Sequence, residues 1–289
     1  MEARPFLKWA GGKTQLLPTL LANAPAQFND YYEPFLGGGA FFFRLASLGK
    51  IKNSHLNDIN RDLITAYRVV KEKPQELIET LSSGKYKNDE AAYYKIRAHE
   101  PASDVDVAAR LIYLNKTAFN GLYRVNSNGK FNVPYGKYAN PKILDEKNLL
   151  AVNVVLQTDE LTSLDFEAAV EGAKKGDFIY FDPPYVPVSK TSNFTGYTKE
   201  NFGWREQQRL FGCFKKLDRK GCFVMLSNSY TEKTNEMYKE FNITSVKASR
   251  MINCNPEGRG KVNELIITNY QIPSLSRQKA FLYHRSSSR

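Results

Sequence analysis

Apolar residues along the chain fall into two rhythms. Short runs rich in β-branched and aromatic side chains, at Tyr31–Phe35, Ser54–Asn57, Val152–Gln157, Phe178–Phe181, Phe223–Ser227, Ile243–Ser249 and Glu264–Thr268, read as strands. Between most of them the apolar positions return every three or four residues, the spacing of one helix face. This alternation predicts an α/β protein on a doubly wound, mostly parallel sheet of seven strands. Residues 60–144 break the rhythm. Helices such as Val105–Phe119 follow one another there and end in a loop rich in Gly, Asn and Pro. An inserted helical subdomain is expected, leaving residues 1–59 and 145–273 to form one discontinuous domain. Residues 274–289 carry four Lys/Arg, no acid and three consecutive serines, and are expected to be a poorly ordered basic tail.

Composition narrows the class. With 289 residues, 42% hydrophobic and 25% charged, the chain can bury a sizeable core. No apolar run approaches the ~20 residues that span a bilayer and no leader-like segment opens the chain, so a soluble, cytoplasmic protein is expected. Cys213, Cys222 and Cys254 have no paired spacing and lie far from the three histidines. Neither a disulfide framework nor a metal site is expected. The net charge of +11 favours a polyanionic partner. From Arg110 to Lys142 there are six Lys/Arg and no acid, interleaved with Tyr113, Phe119, Tyr123, Phe131, Tyr135 and Tyr138. Such a mixture suits gripping phosphates and stacking on bases.

Three motifs carry candidate chemistry. In "YYEPFLGGGAFFFRL", Gly37, Gly38 and Gly39 follow a predicted strand and open a helix, where a tight turn lets backbone approach a nucleotide-like ligand. Asp58, in "LNDIN", ends the next predicted strand, the position from which a carboxylate accepts from ribose hydroxyls. "WAGGKTQ" ends like a phosphate-binding P-loop at Gly12, Lys13 and Thr14, but Leu7 stands where that motif needs glycine, and no strand of useful length precedes it. An ATPase is excluded on that ground, and Lys13 beside Trp9 is instead expected to press on a bound cofactor and neutralise a carboxylate. The third motif, "FDPPY", ends a strand in Asp182, Pro183, Pro184 and Tyr185. The prolines fix φ and remove donors, so the corner presents only acceptors. A nucleobase amino group matches it: its N–H bonds reach Asp182 and the Pro183 carbonyl, Tyr185 stacks on the ring, and the nitrogen is favoured as a nucleophile toward a methyl sulfonium. No cysteine follows a proline, so the covalent chemistry of cytosine-C5 methylation lacks its nucleophile.

These motifs, in this order, resemble the Dam-type DNA adenine-N6 methyltransferases, which use S-adenosyl-L-methionine. The similarity covers roughly Phe6 to Tyr270 and rests on "FLKWAGGK", "YYEPFLGGGAFFF", "NDIN", "NGLYRVNSNGKFNVPYGKY", "FDPPY" and "TSNFTGYT". It implies a Rossmann-like methyltransferase sheet, with Trp9, Lys13, Glu33, Pro34, Phe35, Gly37, Gly39 and Asp58 about the cofactor. Asp165 and Phe166 of "LTSLDF" match the family's contact with the cofactor's adenine. Asp182 to Tyr185 would receive a flipped adenine, Asp182 also bordering the cofactor. Residues 60–144 would be the target-recognition domain, with Arg124 and Lys8 reading guanine edges. Phe119, Asn120 and Leu122 would probe or wedge the duplex, and Lys130, Pro134, Lys137 and Asn193 complete the DNA-binding set. Position 119 is Phe where Tyr is equally familiar, and Tyr123 is a bulky residue within the recognition stretch. The expected target is GATC in double-stranded DNA, read by a monomer or weak dimer at the nucleoid, with a cognate restriction endonuclease as a functional partner. The residues alone leave N4-cytosine methylation and an inactive DNA-binding regulator open. RNA or protein amide methyltransferases usually carry Asn in place of Asp182.

Overall fold

A computed structural model describes residues 2–9, 11–185, 202–249 and 261–272. Asn193, the "TSNFTGYT" motif, Cys254 and the basic tail lie outside the described residues. Seven strands, β1 (Tyr31–Glu33), β2 (Ser54–Asn57), β3 (Glu160–Thr162), β4 (Phe178–Phe181), β5 (Phe223–Ser229), β6 (Asn242–Ser249) and β7 (Lys261–Thr268), form one sheet in the order β3-β2-β1-β4-β5-β7-β6. β7 alone runs opposite to the other six strands, pairing antiparallel with β5 and β6. A seven-stranded, mostly parallel sheet of the Rossmann-like methyltransferase kind is therefore present.

Strand β4 shows why an unbroken apolar run is needed at the centre. Phe178 and Tyr180 join the core on one face of the sheet, while Ile179 and Phe181 join the core on the other. With both faces covered, polar alternation disappears. One layer consists of α1 (Leu17–Asn23), α2 (Ala40–Ser47), α3 (Arg61–Glu72), α4 (Pro74–Ser82), α5 (Glu90–Ala98), α6 (Asp104–Thr117) and α7 (Glu146–Val155); the other is formed by α8 (Phe166–Ala169), α9 (Trp204–Arg219) and α10 (Glu232–Met237). The first core is continuous from Tyr31 and Leu56 on the sheet through Leu63 and Tyr113 to Phe131 and Val133. No helix among the described residues is long and apolar enough to cross a membrane.

One predicted strand is wrong. Val152–Gln157 is helical, split between the end of α7 and a 3-10 turn at Leu156–Thr158. Its buried residues Val152 and Leu156 continue the helical spacing begun at Leu149, while Val154 is 72% exposed. The true strand, β3, is a three-residue sheet edge with no buried residue, so it carries no apolar run to read.

Candidate active site

The strand order reverses between β1 and β4, and in doubly wound sheets the loops beyond the carboxyl ends at such a point enclose the binding crevice. The glycine turn leaves β1, and Asp182 to Tyr185 leave β4, so parallel pairing of Tyr31 with Phe178 and Tyr32 with Ile179 brings the two motifs to one lip.

Gly37 has φ +51°, and a Cβ there would stand 2.7 Å from Trp9 Cδ1. Both conditions call for glycine. The Gly37 N–H donates to Asp58 Oδ2 (2.9 Å) and the Asn60 N–H to Oδ1 (2.9 Å), so one carboxylate joins the turns after β1 and β2. Burial pushes Asp58 up to about 6. Asn57, which sequence reasoning overlooked, laces the same region by donating to the carbonyls of Pro34 and Leu164 and accepting from the Leu164 N–H. Its one signal was position: a buried asparagine at a strand end, immediately before the acid.

Glu33 is buried beneath this turn and accepts from the Tyr31 hydroxyl at 2.7 Å. Burial raises its carboxyl to about 8, with the charge of Asp182 adding to the effect. The folded protein thus holds this proton more tightly than the unfolded chain. Stability from this group is complete below about pH 4 and is lost as pH rises through about 8. Glu33→Gln is expected to remove a loss on the order of 1 kcal/mol between pH 7 and 9, read as a flatter melting-temperature profile. An unchanged profile would rule out Glu33 as the source.

Asp182 is nearly enclosed. Its Oδ1 pairs with Lys13 Nζ at 2.8 Å, side-chain exposures being 18% and 6%. Lys13 also donates to the Gly11 carbonyl (2.8 Å) and stands 4.7 Å above the Tyr185 ring. Burial raises Asp182 to about 6 although Lys13 opposes the shift. The carboxylate that Lys13 neutralises is therefore Asp182. Two further anchors were not foreseen. The Tyr185 hydroxyl donates to Glu264 (3.0 Å), and Gln207 on α9 donates to the Pro184 carbonyl (3.4 Å) while its own carbonyl accepts from Asn228 (2.9 Å). Glu264 was visible only as a charged residue opening a predicted strand.

Asp165 caps α8 through the Glu167 N–H and pairs with Arg209 (2.9 Å). Phe166 is buried and stacks on Phe35 with centroids 5.5 Å apart. Beside Asp58, Ile59 and Leu164 are 55% and 45% exposed, two apolar side chains left facing outward. Asp58 has lone pairs beyond those its two backbone donors use, and apolar walls stand next to it, so the donor set fits a nucleoside-bearing methyl donor.

Residues 118–135 fold back on themselves through the antiparallel bridges Ala118 to Tyr135 and Val125 to Phe131. Phe119 is 45% exposed, and its N–H donates to the Pro134 carbonyl (2.9 Å). Asn120 takes φ +55° within the 3-10 turn Phe119–Gly121, and Leu122 is half-buried. Arg124 is exposed, its Nε donating to Asn132 Oδ1 at 2.7 Å. Lys8 is exposed with its ammonium 5.2 Å from the Tyr138 ring, Lys130 pairs with Glu100 (2.9 Å), and Lys137 is exposed. Part of the basic and aromatic stretch turns inward instead. Arg110 donates to the carbonyls of Ile96 and Arg97 at the end of α5, and Tyr113 and Phe131 are core residues.

The sequence profile of the D12 class N6 adenine-specific DNA methyltransferases matches residues 9–252. The chain belongs to this family. It is similar to the Type II methyltransferase M1.LlaDCHI of Lactococcus lactis subsp. cremoris, at 46% identity over 93% of this chain and 96% of the relative. Type II methyltransferase M.MjaIII of Methanocaldococcus jannaschii is 45% identical, over 93% of this chain and all of the relative. A DNA adenine methylase of Haemophilus influenzae is 36% identical, over 92% and 93%. The enzyme is thus an adenine-specific DNA methyltransferase with DNA as its substrate, and the N4-cytosine alternative gives way to adenine. A methyl donor is implied by the family.

Proposed function

We propose that the enzyme methylates N6 of adenine in duplex GATC sites with S-adenosyl-L-methionine, after the adenine leaves the base stack. The meeting of the Asp58-braced glycine turn and the Asp182 corner at the switch point carries this reading. Asp58 would hold the ribose, Asp165 and Phe166 with the exposed Ile59 and Leu164 the purine, and the backbone around Gly37 and Gly39 the methionine part. The bound donor supplies an electrophilic methyl group.

Each remaining step belongs to the chain. A flipped adenine brings its amino group to Asp182 and the Pro183 carbonyl, where Lys13 now sits, so the amino group displaces the ammonium from Oδ1. Lys13 keeps its Gly11 carbonyl and would be free to neutralise the carboxylate of a bound cofactor. Tyr185, oriented by Glu264, offers its ring to the base. Two acceptors off the ring plane localise the nitrogen lone pair for attack, and the surplus proton leaves afterwards. Unstacking costs a few kcal/mol, which the segment 60–144 offsets as the target-recognition domain by gripping the duplex.

Arg124 is set to read a guanine, since Asn132 fixes its fork on an exposed surface. Arg124→Ala is expected to cost about 1–3 kcal/mol of discrimination at one position, measured as kcat/KM ratios on GATC and single-substituted duplexes. Lys137→Ala should instead weaken all sequences alike and lower the salt dependence; equal effects of the two variants would void the division. Two relatives carry the name Type II methyltransferase, and the proposal includes a cognate restriction endonuclease as functional partner and a monomer or weak dimer working at the nucleoid. Sequencing DNA methylated by the purified enzyme tests the whole proposal: N6-methyladenine within GATC is expected, and another base or site would replace it.

A further inference from the structure

Alternate residues of two segments face opposite ways. Lys8 and Arg124 are exposed on the proposed DNA side, while their half-buried neighbours Trp9 and Tyr123 stack on each other, with centroids 5.2 Å apart and planes 27° apart. Trp9 is the residue against which Gly37 is packed so closely that a Cβ would meet its ring at 2.7 Å. Asn115 ties the same segments by backbone: the Lys8 N–H donates to its Oδ1 (2.8 Å), and its amide donates to the carbonyls of Lys8 (2.6 Å) and Gly121 (3.3 Å). A Cβ on Gly121 would stand 2.7 Å from the Lys8 side chain. The contact is therefore tight along its length.

We infer that the Trp9–Tyr123 stack couples the two substrates of this enzyme. With a donor seated over the glycine turn, Trp9 is held, Tyr123 is held against it, and the backbone that aims Leu122 and Arg124 loses freedom. Ordering that is already complete need not be repeated when DNA binds, so each ligand favours the other. Tyr123 is thus a positioning residue for specificity, acting through Trp9 on one side and Arg124 on the other. This inference rests on the proposed assignment of the glycine turn to S-adenosyl-L-methionine and of residues 119–135 to the duplex.

Calorimetric titration of S-adenosyl-L-homocysteine into the free enzyme, and into the enzyme saturated with a GATC duplex, reads the coupling as a ratio of dissociation constants. The ratio is expected to be about fivefold or more in the wild type and in Tyr123→Phe, which keeps the ring. In Tyr123→Ala, and in Tyr123→Leu, which keeps an apolar filler should the alanine variant not fold, it should drop to about one. Affinity for a duplex lacking GATC should stay within about twofold, because phosphate contacts dominate there. A side chain that merely supported the fold would lower both affinities and leave the ratio intact, and that result overturns the inference. So does a wild-type ratio near one. A wild type that binds no S-adenosyl-L-homocysteine at all would sink the functional proposal as well, a failure distinct from the other two.

Discussion

Asp182→Ala is expected to lower kcat by about 10²–10³-fold, because it removes the charged acceptor that must strengthen its hold as the adenine nitrogen becomes tetrahedral. Duplex binding should persist, since the exposed basic side chains lie elsewhere. The pH profile of the parent enzyme provides an independent check. Burial raises Asp182 to about 6, and the ionised form is the useful acceptor, so kcat/KM should rise with pH to about 6 and then level. The pairing with Lys13 explains how this carboxylate survives at all in a site with 18% side-chain exposure. Asp182→Asn retains an oxygen but turns two donors into an all-acceptor corner, so it should rescue little. Single-turnover methylation with tritiated donor measures these rates, and a fully active Asp182→Ala enzyme would remove the residue from the mechanism.

Asp58→Ala should weaken donor binding by about 10²-fold or more, with kcat at saturating donor changed far less. Two effects combine. A carboxylate facing ribose hydroxyls loses charge-assisted hydrogen bonds of about 1.5–3 kcal/mol each. In addition, the N–H groups of Gly37 and Asn60 lose their shared acceptor, so the turn that must fit the donor is no longer braced. Asp58→Asn keeps one acceptor and should fall between. Binding of S-adenosyl-L-homocysteine within about threefold of the parent in the alanine variant would show that the ribose lies elsewhere, because the loss of even one such bond exceeds that.

Most of the sheet and the motifs of the candidate site were legible in the chain because they are written in local terms. Phe178–Phe181 had to be a buried strand, since a run without polar alternation fits only where both faces are covered. Strand β3 was missed because an edge strand of three residues, none of them buried, has no periodicity, while the apolar residues of α7 just before it imitate one. Glu264 and Gln207 could not be assigned a role for a different reason. Each acts on the corner at Pro184–Tyr185 from an element whose position depends on sheet order, and no local pattern encodes that order.

By itself the sequence determined what each motif can do: glycines that admit tight backbone, acids at strand ends, and a proline corner that offers only acceptors. These follow from covalent chemistry and short-range sterics, which neighbours a few residues away already settle. Tertiary structure alone decided which of these groups meet. It gave Lys13 to Asp182, turned Arg110, Tyr113 and Phe131 inward, and laid Tyr123 against Trp9. Those pairings join residues far apart in the chain, and they are selected by packing both sheet faces at once, a condition that no single segment can express.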